Sequence, residues 1–443
     1  MNPSSSDRSS IIEASRRFFN EAHAPKPFVA GQSYIPVTTK VMDDEDMAHL
    51  IDASLDMWLT AGRFSREFEA KLPEFMNRKT GALLVNSGSS ANLVAVSSLG
   101  APMMESLKMK PLRPADEVIT AAAGFPTTVN PIIQNGFVPV FVDVDLKTLN
   151  AVPEAVMAAK TSKTRAVILA HTLGNPYRSD VLAEWCAREG LYLIEDSCDA
   201  LGAQVNGQPV GSYGDYATLS FYPAHHITMG EGGAVISKDG KLKRVAESIR
   251  DWGRDCWCEP GQDNTCKKRF GWTLGDLPCG YDHKYTYSNI GYNLKATDMQ
   301  AAVGLSQLKK LPRFVAARRA NWKALYDGVM SSPLLKEHLE PVVATAQTEP
   351  SWFGFPLHCS EALDREKLVS FLEDHKVGTR LVFAGNLTKQ PAYKGANFRV
   401  HGELKNTDRI MRKSLWIGVH PALDGAKIQY MLEQLEAAVR AQI

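Results

Sequence analysis

The stretch that decides the interpretation of this chain is Ser220-Phe-Tyr-Pro-Ala-His-His-Ile-Thr-Met-Gly-Glu-Gly-Gly233. It begins at the end of an apolar segment, residues 217–221, that has the composition of a buried strand. His225 lies at its centre, and an imidazole can move a proton near neutral pH but cannot form a stable imine. His226 follows directly, and the sequence leaves open which of the two histidines is functional.

Short apolar runs alternate with helical patterns on both sides of this stretch. The predicted strands are residues 82–86, 117–120, 138–143, 166–170, 192–196 and 217–221. Helices are predicted between them, for example at residues 91–99 and 181–189. Apolar strands that alternate with helices are typical of an α/β domain with a mostly parallel sheet.

The chain is predicted to have three parts. Residues 1–45 form a short helix, at residues 11–22, followed by an extended arm. Residues 46–312 form a large domain that includes a cysteine-containing loop at residues 254–285 and ends in a long helix from residue 296. Residues 313–443 form a smaller α+β domain, with helices at residues 363–375 and 428–441.

Composition excludes several classes of function. The 50 basic and 49 acidic residues give a net charge of +1, so neither a nucleic-acid nor an anionic-membrane partner is expected. The sequence contains no apolar run long enough to span a membrane, and its polar start lacks the apolar core of a secretory signal. The seven cysteines are an odd number and do not predict a disulfide framework. We therefore expect a cytoplasmic protein.

Two loops follow predicted strands and carry polar groups suited to a ligand. Asn86-Ser-Gly-Ser-Ser-Ala-Asn92 opens a helix, where backbone N–H groups form either a phosphate site or an ordinary helix cap. Glu195-Asp-Ser-Cys-Asp199 ends a strand at the edge where α/β proteins bind ligands. Without further information, Asp196 could equally cap the next helix. Phe125, in the stretch Ala123-Gly-Phe-Pro-Thr-Thr128, would on the same basis be assigned to the hydrophobic core.

Four of the cysteines follow the pattern C-x57-C-x-C-x7-C, at Cys198, Cys256, Cys258 and Cys266. Four thiolates are the number that a 2Fe–2S cluster or a zinc site requires. The spacing differs from the common zinc pattern, and this difference favours the 2Fe–2S cluster. The alternative is that these cysteines are unligated thiols in a reducing compartment.

From about residue 35 to the C-terminus, these motifs resemble the sugar aminotransferases of the aspartate-aminotransferase fold, which is fold type I of the pyridoxal phosphate enzymes. That family carries the pattern Ser-Phe-x-x-x-Lys-x-x-x-x-Gly-(Glu/Asp)-Gly-Gly, in which the lysine holds the cofactor as a Schiff base. His225 takes the place of that lysine here. The resemblance implies a mostly parallel sheet of seven strands in the large domain.

The resemblance also implies a role for each candidate site residue. Asp196 pairs with the pyridine nitrogen of the cofactor, and Phe125 stacks on its ring. The residues expected at the cofactor phosphate are Gly88, Ser89, Ser90, Ser220 and, from across a homodimer interface, Asn293. Asp199 and Tyr222 depart from the family pattern and add polar groups near His225. Arg380 and Lys389 meet a nucleotide diphosphate or, as the alternative, form a solvated basic face.

The exchange of histidine for lysine, together with the four cysteines, resembles the deoxygenating members of the family, which are 3-dehydrases of nucleotide-linked 4-keto-6-deoxyhexoses. This implies that pyridoxamine phosphate is the working cofactor and that His225 removes a proton from its C4′ carbon as the C3 hydroxyl of the sugar leaves. It also implies a 2Fe–2S cluster on the four cysteines and an NAD(P)H-dependent flavin iron–sulfur reductase as partner. The pathway would be 3,6-dideoxyhexose and O-antigen biosynthesis, with a CDP-linked sugar expected first.

Two other functions remain open on the sequence. One is a cluster-free dehydratase that also has histidine for lysine and finishes by hydrolysis, and the other is a non-catalytic sensor or scaffold. The sequence does not distinguish CDP from dTDP. It also leaves open the final dideoxysugar, the identity of the reductase, and whether a cluster survives purification.

Overall fold

A computed structural model describes residues 5–443, with side chains from residue 6 onward. The α-helices are α1 (Ser5–Ala22), α2 (Asp44–Leu55), α3 (Arg63–Lys71), α4 (Gly88–Leu99), α5 (Met103–Ser106), α6 (Pro126–Gln134), α7 (Pro153–Ala158), α8 (Ser179–Glu189), α9 (Gly240–Arg250), α10 (Asp298–Ser331), α11 (Pro333–His338), α12 (Arg365–Asp374), α13 (Lys405–Lys413) and α14 (Gly425–Arg440). The strands are β1 (Ala82–Val85), β2 (Glu117–Ala121), β3 (Val138–Val142), β4 (Thr164–Ala170), β5 (Tyr192–Asp196), β6 (Gln204–Val205), β7 (Gln208–Pro209), β8 (Tyr216–Ser220), β9 (Gly233–Ser237), β10 (Leu339–Pro341), β11 (Thr348–Glu349), β12 (Gly354–Cys359), β13 (Thr379–Arg380), β14 (Arg399–Val400) and β15 (Ser414–Gly418).

The main sheet has the strand order β1-β9-β8-β5-β4-β2-β3-β14. β9 is antiparallel to both of its neighbours, and the other pairs are parallel. The six predicted strands are all present, and the predicted α/β class with a mostly parallel sheet is confirmed. The sheet has eight strands where seven were expected, because Arg399–Val400 adds beside β3. Two residues are too few to produce a recognisable hydrophobic pattern.

The direction of the strands positions the site. β1, β2, β4, β5 and β8 run the same way, so their carboxyl ends meet at one edge of the sheet. β8 is buried along its whole length, as expected for a strand covered on both faces. Asp196 ends β5 and Ser220 ends β8, so the strand pairing brings these two sequence-distant residues to the same edge.

A second, antiparallel sheet lies in the C-terminal part of the chain, with the order β10-β12-β15-β13. Together with α12, α13 and α14 it forms the predicted α+β region. The proposed boundary between residues 312 and 313 falls inside α10, which continues without a break to Ser331. One hydrophobic cluster includes Val140 of the main sheet and Ile417 of the second sheet. The division into domains therefore stays a prediction.

The N-terminal helix begins at Ser5, earlier than the predicted residue 11. The first four residues of the predicted segment 1–45 lie outside the described residues. Within residues 5–443, none of the helices combines the length and the apolar character that crossing a bilayer would require.

Candidate active site

A cavity of about 480 Å³ opens at the carboxyl edge of the main sheet. This volume is within the range of small-molecule sites in proteins. The predicted site residues that line it are Gly88, Ser89, Phe125, Asp196, Cys198, Asp199, Ser220, Tyr222, His225 and Arg380. We call this cavity the cofactor pocket. Residues from five separate segments of the sequence thus meet in one place.

His225 lies in the cofactor pocket beside a carboxylate. Its Nδ1 is 3.3 Å from Oδ1 of Asp199, and the centroid of its ring is 5.2 Å from that of Phe353. Nδ1 makes no hydrogen bond among the described residues, so Asp199 acts on it through its charge: a carboxylate this close favours a proton on Nδ1 and leaves Nε2 free to accept one. The arrangement therefore suits a general base.

His226 faces away from the cofactor pocket and is 3% exposed. Its Nε2 is 2.7 Å from the carbonyl oxygen of Ser351. Burial, together with the nearby charge of Arg318, holds the pKa of His226 well below its usual range. The imidazole is thus neutral and serves as a donor to the backbone, which makes His225 the histidine of the pocket.

Asp196 is on the floor of the cofactor pocket and is fixed by three donors. Its Oδ2 accepts hydrogen bonds from Nδ2 of Asn92 at 2.8 Å and from Oγ1 of Thr128 at 2.6 Å. Its Oδ1 accepts from the backbone N–H of Cys198 at 3.2 Å. The sequence reasoning assigned no role to Asn92 or Thr128. Each lies in the same short motif as a predicted site residue, four residues after Gly88 and three after Phe125, and this proximity was the available signal.

The loop before α4 has the geometry of an anion site. Ser87 caps the helix by accepting a hydrogen bond from the backbone N–H of Ser90, and Gly88 and Ser89 face the pocket. A β-carbon at position 88 would lie 2.4 Å from Cβ of Ser220, so only glycine fits there. The hydroxyl of Ser90 donates instead to Oδ1 of Asn86 at 2.6 Å, within the turn itself.

Aromatic side chains form one wall of the cofactor pocket. Phe125 is 49% exposed and meets Phe383 edge to face, with 6.2 Å between the ring centroids. Tyr222 is 51% exposed. These rings offer open faces to a planar ligand, and stacking on such a face is a common way to hold one.

Three predicted residues differ in their relation to the pocket. Arg380 lines it, although its Nη1 donates to the carbonyl oxygen of Thr379 at 2.7 Å. Lys389 forms an ion pair with Asp408 at 2.6 Å and lies outside the pocket lining. Asn293 is exposed, accepts a hydrogen bond from Nζ of Lys295 at 2.7 Å, and also lies outside it.

Three of the four predicted cluster cysteines lie together in a second cavity, lined by Cys256, Cys258, Cys266 and His283 among others. The backbone N–H of Cys258 is 3.4 Å from Sγ of Cys256, and Sγ of Cys266 is 3.8 Å from Nδ1 of His283. Burial raises the pKa of Cys256. At Cys258, hydrogen bonds from Thr265 outweigh burial and lower the pKa.

Cys198, the fourth predicted ligand, lines the cofactor pocket instead. Burial, together with the neighbouring carboxylate of Asp196, raises the pKa of the Cys198 thiol well above its usual range. Across the described part of the chain, no three or more His, Cys, Asp or Glu side chains are arranged to hold a metal ion. The four-cysteine ligand set therefore stays a prediction.

The fold and the cofactor pocket define the class of protein. The chain belongs to the DegT/DnrJ/EryC1/StrS aminotransferase family, whose model matches residues 40–436. The structure of a GDP-4-keto-6-deoxy-D-mannose-3-dehydratase from E. coli with bound hydrated PLP superimposes with a TM-score of 0.80 at 28% identity, over 91% of this chain and 100% of that one. The predicted fold type I is thereby confirmed.

Two relatives are more similar in sequence. The lipopolysaccharide biosynthesis protein RfbH of Salmonella typhimurium is 52% identical over 97% of each chain. The dTDP-4-dehydro-2,6-dideoxy-D-glucose 3-dehydratase of Saccharopolyspora spinosa is 49% identical over 98% of this chain and 92% of its own. These relatives confirm that the chain resembles the 3-dehydratase branch of the family.

Proposed function

We propose that this protein removes the C3 hydroxyl of a nucleotide-linked 4-keto-6-deoxyhexose, with a CDP sugar as the first substrate to test, in 3,6-dideoxyhexose and O-antigen biosynthesis. The observation that carries the proposal is His225 beside Asp199 in a pocket whose floor is Asp196. The lining of this pocket includes no lysine among the described residues, so an ordinary covalent anchor is missing. The names of the two most similar relatives quoted above support the same reaction class and pathway.

The residues of the pocket fit pyridoxamine phosphate. The N-terminus of α4, with Gly88 and Ser89, would hold the phosphate, and the close approach of Ser220 leaves a cradle that a β-carbon would fill. Asp196, held by Asn92 and Thr128, would face the pyridine nitrogen. When bound, the cofactor supplies an amine for the sugar ketone and a ring that accepts electrons.

The residues near His225 would then handle protons. Nε2 of His225 would accept the proton from the C4′ carbon of the cofactor, because the neighbouring carboxylate of Asp199 favours a proton on Nδ1. Tyr222 lines the pocket, is 51% exposed, and would position the substrate near the C3 hydroxyl. Arg380 would bind the nucleotide diphosphate, whereas Lys389 already forms an ion pair with Asp408.

We further propose a homodimer with shared active sites. Asn293 is exposed and lies away from the cofactor pocket of its own chain, which is consistent with a role at the phosphate of a second copy. Three exposed side chains, Tyr287, Ile290 and Tyr292, lie just before it in the sequence. Burial of such residues would favour association.

A 2Fe–2S cluster with an NAD(P)H-dependent flavin iron–sulfur reductase as electron donor is the second part of the proposal. Cys256, Cys258 and Cys266 supply three thiols in one cavity, which fits three of the four ligands that such a cluster needs. Cys198 lies in the cofactor pocket, so the complete set is not assembled within the chain.

The separate position of Cys198 favours one alternative, the cluster-free dehydratase. In that case water would complete the reaction and no reductase would be needed.

Anaerobic purification followed by measurement of iron and acid-labile sulfide separates these two functions. About two of each per chain would support the redox enzyme. Incubation with pyridoxamine phosphate and CDP-4-keto-6-deoxyglucose, with dTDP- and GDP-linked sugars in parallel, tests the substrate. Absence of iron with release of a 3-deoxy ketosugar would establish the cluster-free reaction, and no reaction with any of these sugars would overturn the proposal.

A further inference from the structure

Arg318 is a buried cation next to the cofactor pocket. It lies in the middle of α10 and is 1% exposed, and it heads the fully buried side chains of residues 6–443 in size. Among the described residues, no carboxylate lies within ion-pair distance of its guanidinium. A buried, unpaired charge is costly, so a chain retains one only where its donors are needed.

The guanidinium donates to two segments of backbone. Its Nη1 lies 3.3 Å from the carbonyl oxygens of Trp352 and Phe353. Its Nη2 lies 3.3 Å from the carbonyl oxygen of His225. Arg318 therefore ties the loop that carries His225 to the segment that leads into β12.

The second segment carries the ring that packs on His225. The Phe353 ring centroid is 5.2 Å from that of His225 and 5.9 Å from the central guanidinium carbon of Arg318. Asp199 contacts the imidazole at Nδ1. The position of the imidazole is thus set by one carboxylate and one aromatic ring, and Arg318 fixes the backbone that holds the ring.

The charge of Arg318 is surrounded by titratable groups. Burial lowers its pKa to about 10, an effect that Asp199 opposes, so the side chain is protonated at neutral pH. The groups that face it are Asp199, His225, His226 and His420. Burial and this cation together lower the pKa of both His226 and His420, so the charge acts on imidazoles across the cluster.

We infer that Arg318 is a positioning residue for His225: by binding the carbonyl oxygens of His225 and Phe353 together, it holds the imidazole in place for proton transfer. The inference rests on the proposed function only in that His225 is taken as the base. Its neighbour Arg319 provides a matched control. Arg319 is adjacent on α10 but binds Pro350 and Glu349, and its side chain is 37% exposed.

The test compares Arg318→Met, Arg318→Lys and Arg319→Met. The first readout is the apo protein labelled with 13C at Cε1 of histidine, in which His225→Asn assigns the signal of His225. The ring of Phe353 shifts that signal, and we expect Arg318→Met to move it toward the position of an exposed histidine. Arg318→Lys should recover part of the shift, and Arg319→Met should leave it unchanged.

The second readout is release of deuterium from the C4′ carbon of bound pyridoxamine phosphate in the presence of the CDP sugar. We expect a loss of about 10- to 100-fold in Arg318→Met, with cofactor affinity within about twofold of wild type, because a small displacement of a catalytic group has effects of this size.

An unshifted His225 signal with a wild-type exchange rate in Arg318→Met would overturn the inference. If Arg318→Met does not fold, Arg318→Lys and Phe353→Leu decide: both should displace the signal, and wild-type behaviour in both would overturn it. If the wild-type protein itself releases no deuterium, the proposed function is wrong. The 13C signal of His225 in the apo protein still tests the role of Arg318 in that case.

Discussion

Nδ1 of His225 lies 3.3 Å from Oδ1 of Asp199, and both side chains are largely enclosed, with 14% and 12% of their surface exposed. A carboxylate at this position favours a proton on Nδ1 and so leaves Nε2 as the atom that accepts one. We therefore expect Asp199→Asn, which keeps the shape but not the charge, to slow C4′ deuterium release by about 10- to 1000-fold. Single-turnover measurements with unchanged cofactor binding would check this. A wild-type rate would remove Asp199 from the proton-transfer step.

Loss of the imidazole itself should have a larger effect. We expect His225→Ala and His225→Asn to abolish C3 deoxygenation, with a loss of at least about 100-fold, because no other base reaches the pocket from the same position. Cofactor binding should survive, because Asp196 and the loop before α4 are unchanged. Turnover and cofactor titration measured on the same preparations separate the two effects. Full turnover in either variant would exclude His225 as the base.

The variant Thr128→Val removes one of the hydrogen-bond donors that hold the carboxylate of Asp196. Valine has a similar shape but leaves Oδ2 of the carboxylate with only Asn92 as a side-chain donor. We expect cofactor affinity to fall about 5- to 20-fold, the equivalent of about 1–2 kcal/mol for one hydrogen bond to a charged group. Fluorescence titration with pyridoxamine phosphate measures the change. An unchanged affinity, in a variant with an unchanged urea midpoint, would mean that Thr128 does not support the site.

Cysteine substitutions test the proposed cluster directly. Cys256→Ala and Cys258→Ala should lose iron and the visible iron–sulfur absorption but retain the half-reaction up to dehydration. Cys279 is exposed and lies outside the second cavity, so Cys279→Ala is the control that should keep its iron. Cys198→Ala decides the fourth ligand: loss of iron would establish Cys198, and full retention would exclude it.

The buried residue His420 should make the free energy of unfolding depend on pH. Burial lowers the pKa of His420 to about 4, with a contribution from Arg318 and against the hydrogen bond to the Pro36 carbonyl. In the unfolded chain His420 takes up a proton below about pH 6.5, whereas in the folded protein it does so only near pH 4. The stabilisation is thus complete above about pH 6.5 and is lost as the pH falls toward 4.

Between pH 7 and pH 5 this residue should cost about 2 kcal/mol of stability. We expect His420→Asn to flatten that part of the curve, as measured by urea unfolding at both pH values. His375→Gln changes an exposed histidine and should retain the wild-type slope. Equal slopes for wild type and His420→Asn would show that acid sensitivity arises elsewhere.

Sequence patterns predict the part of the site that depends on strand order. Asp196 and Ser220 could be placed because apolar runs reveal the strands, and the carboxyl ends of parallel strands share an edge. His225 was placed by the resemblance of its motif to the family pattern. The support of Asp196 by Asn92 and Thr128 could not be predicted in the same way, because α4 and α6 must pack on the sheet before those side chains meet. The adjacent residues Arg318 and Arg319 look equivalent in the sequence, and only the packing of α10 shows that one is buried and the other is not.

The cysteines show the opposite limit. Their spacing correctly groups Cys256, Cys258 and Cys266, which are within eleven residues and lie in one cavity. Cys198 is grouped with them because a cluster needs four thiolates and because it lies two residues after Asp196, and no local pattern specifies its distance from the others. Short-range spacing thus predicts proximity, whereas a separation of 57 residues carries no geometric information of its own.

Gly88 has a consequence for how this protein could change by mutation. Without a covalent tether, a cofactor would be retained only by non-covalent contacts, and position 88 has no spare room for a side chain, since an added methyl group would collide with Ser220. We expect substitutions at Phe125 or Tyr222 to alter retention by degrees, because these rings have open faces. Gly88→Ala should instead leave a folded protein that does not bind the cofactor at all. One added carbon at this glycine would therefore be enough to abolish activity.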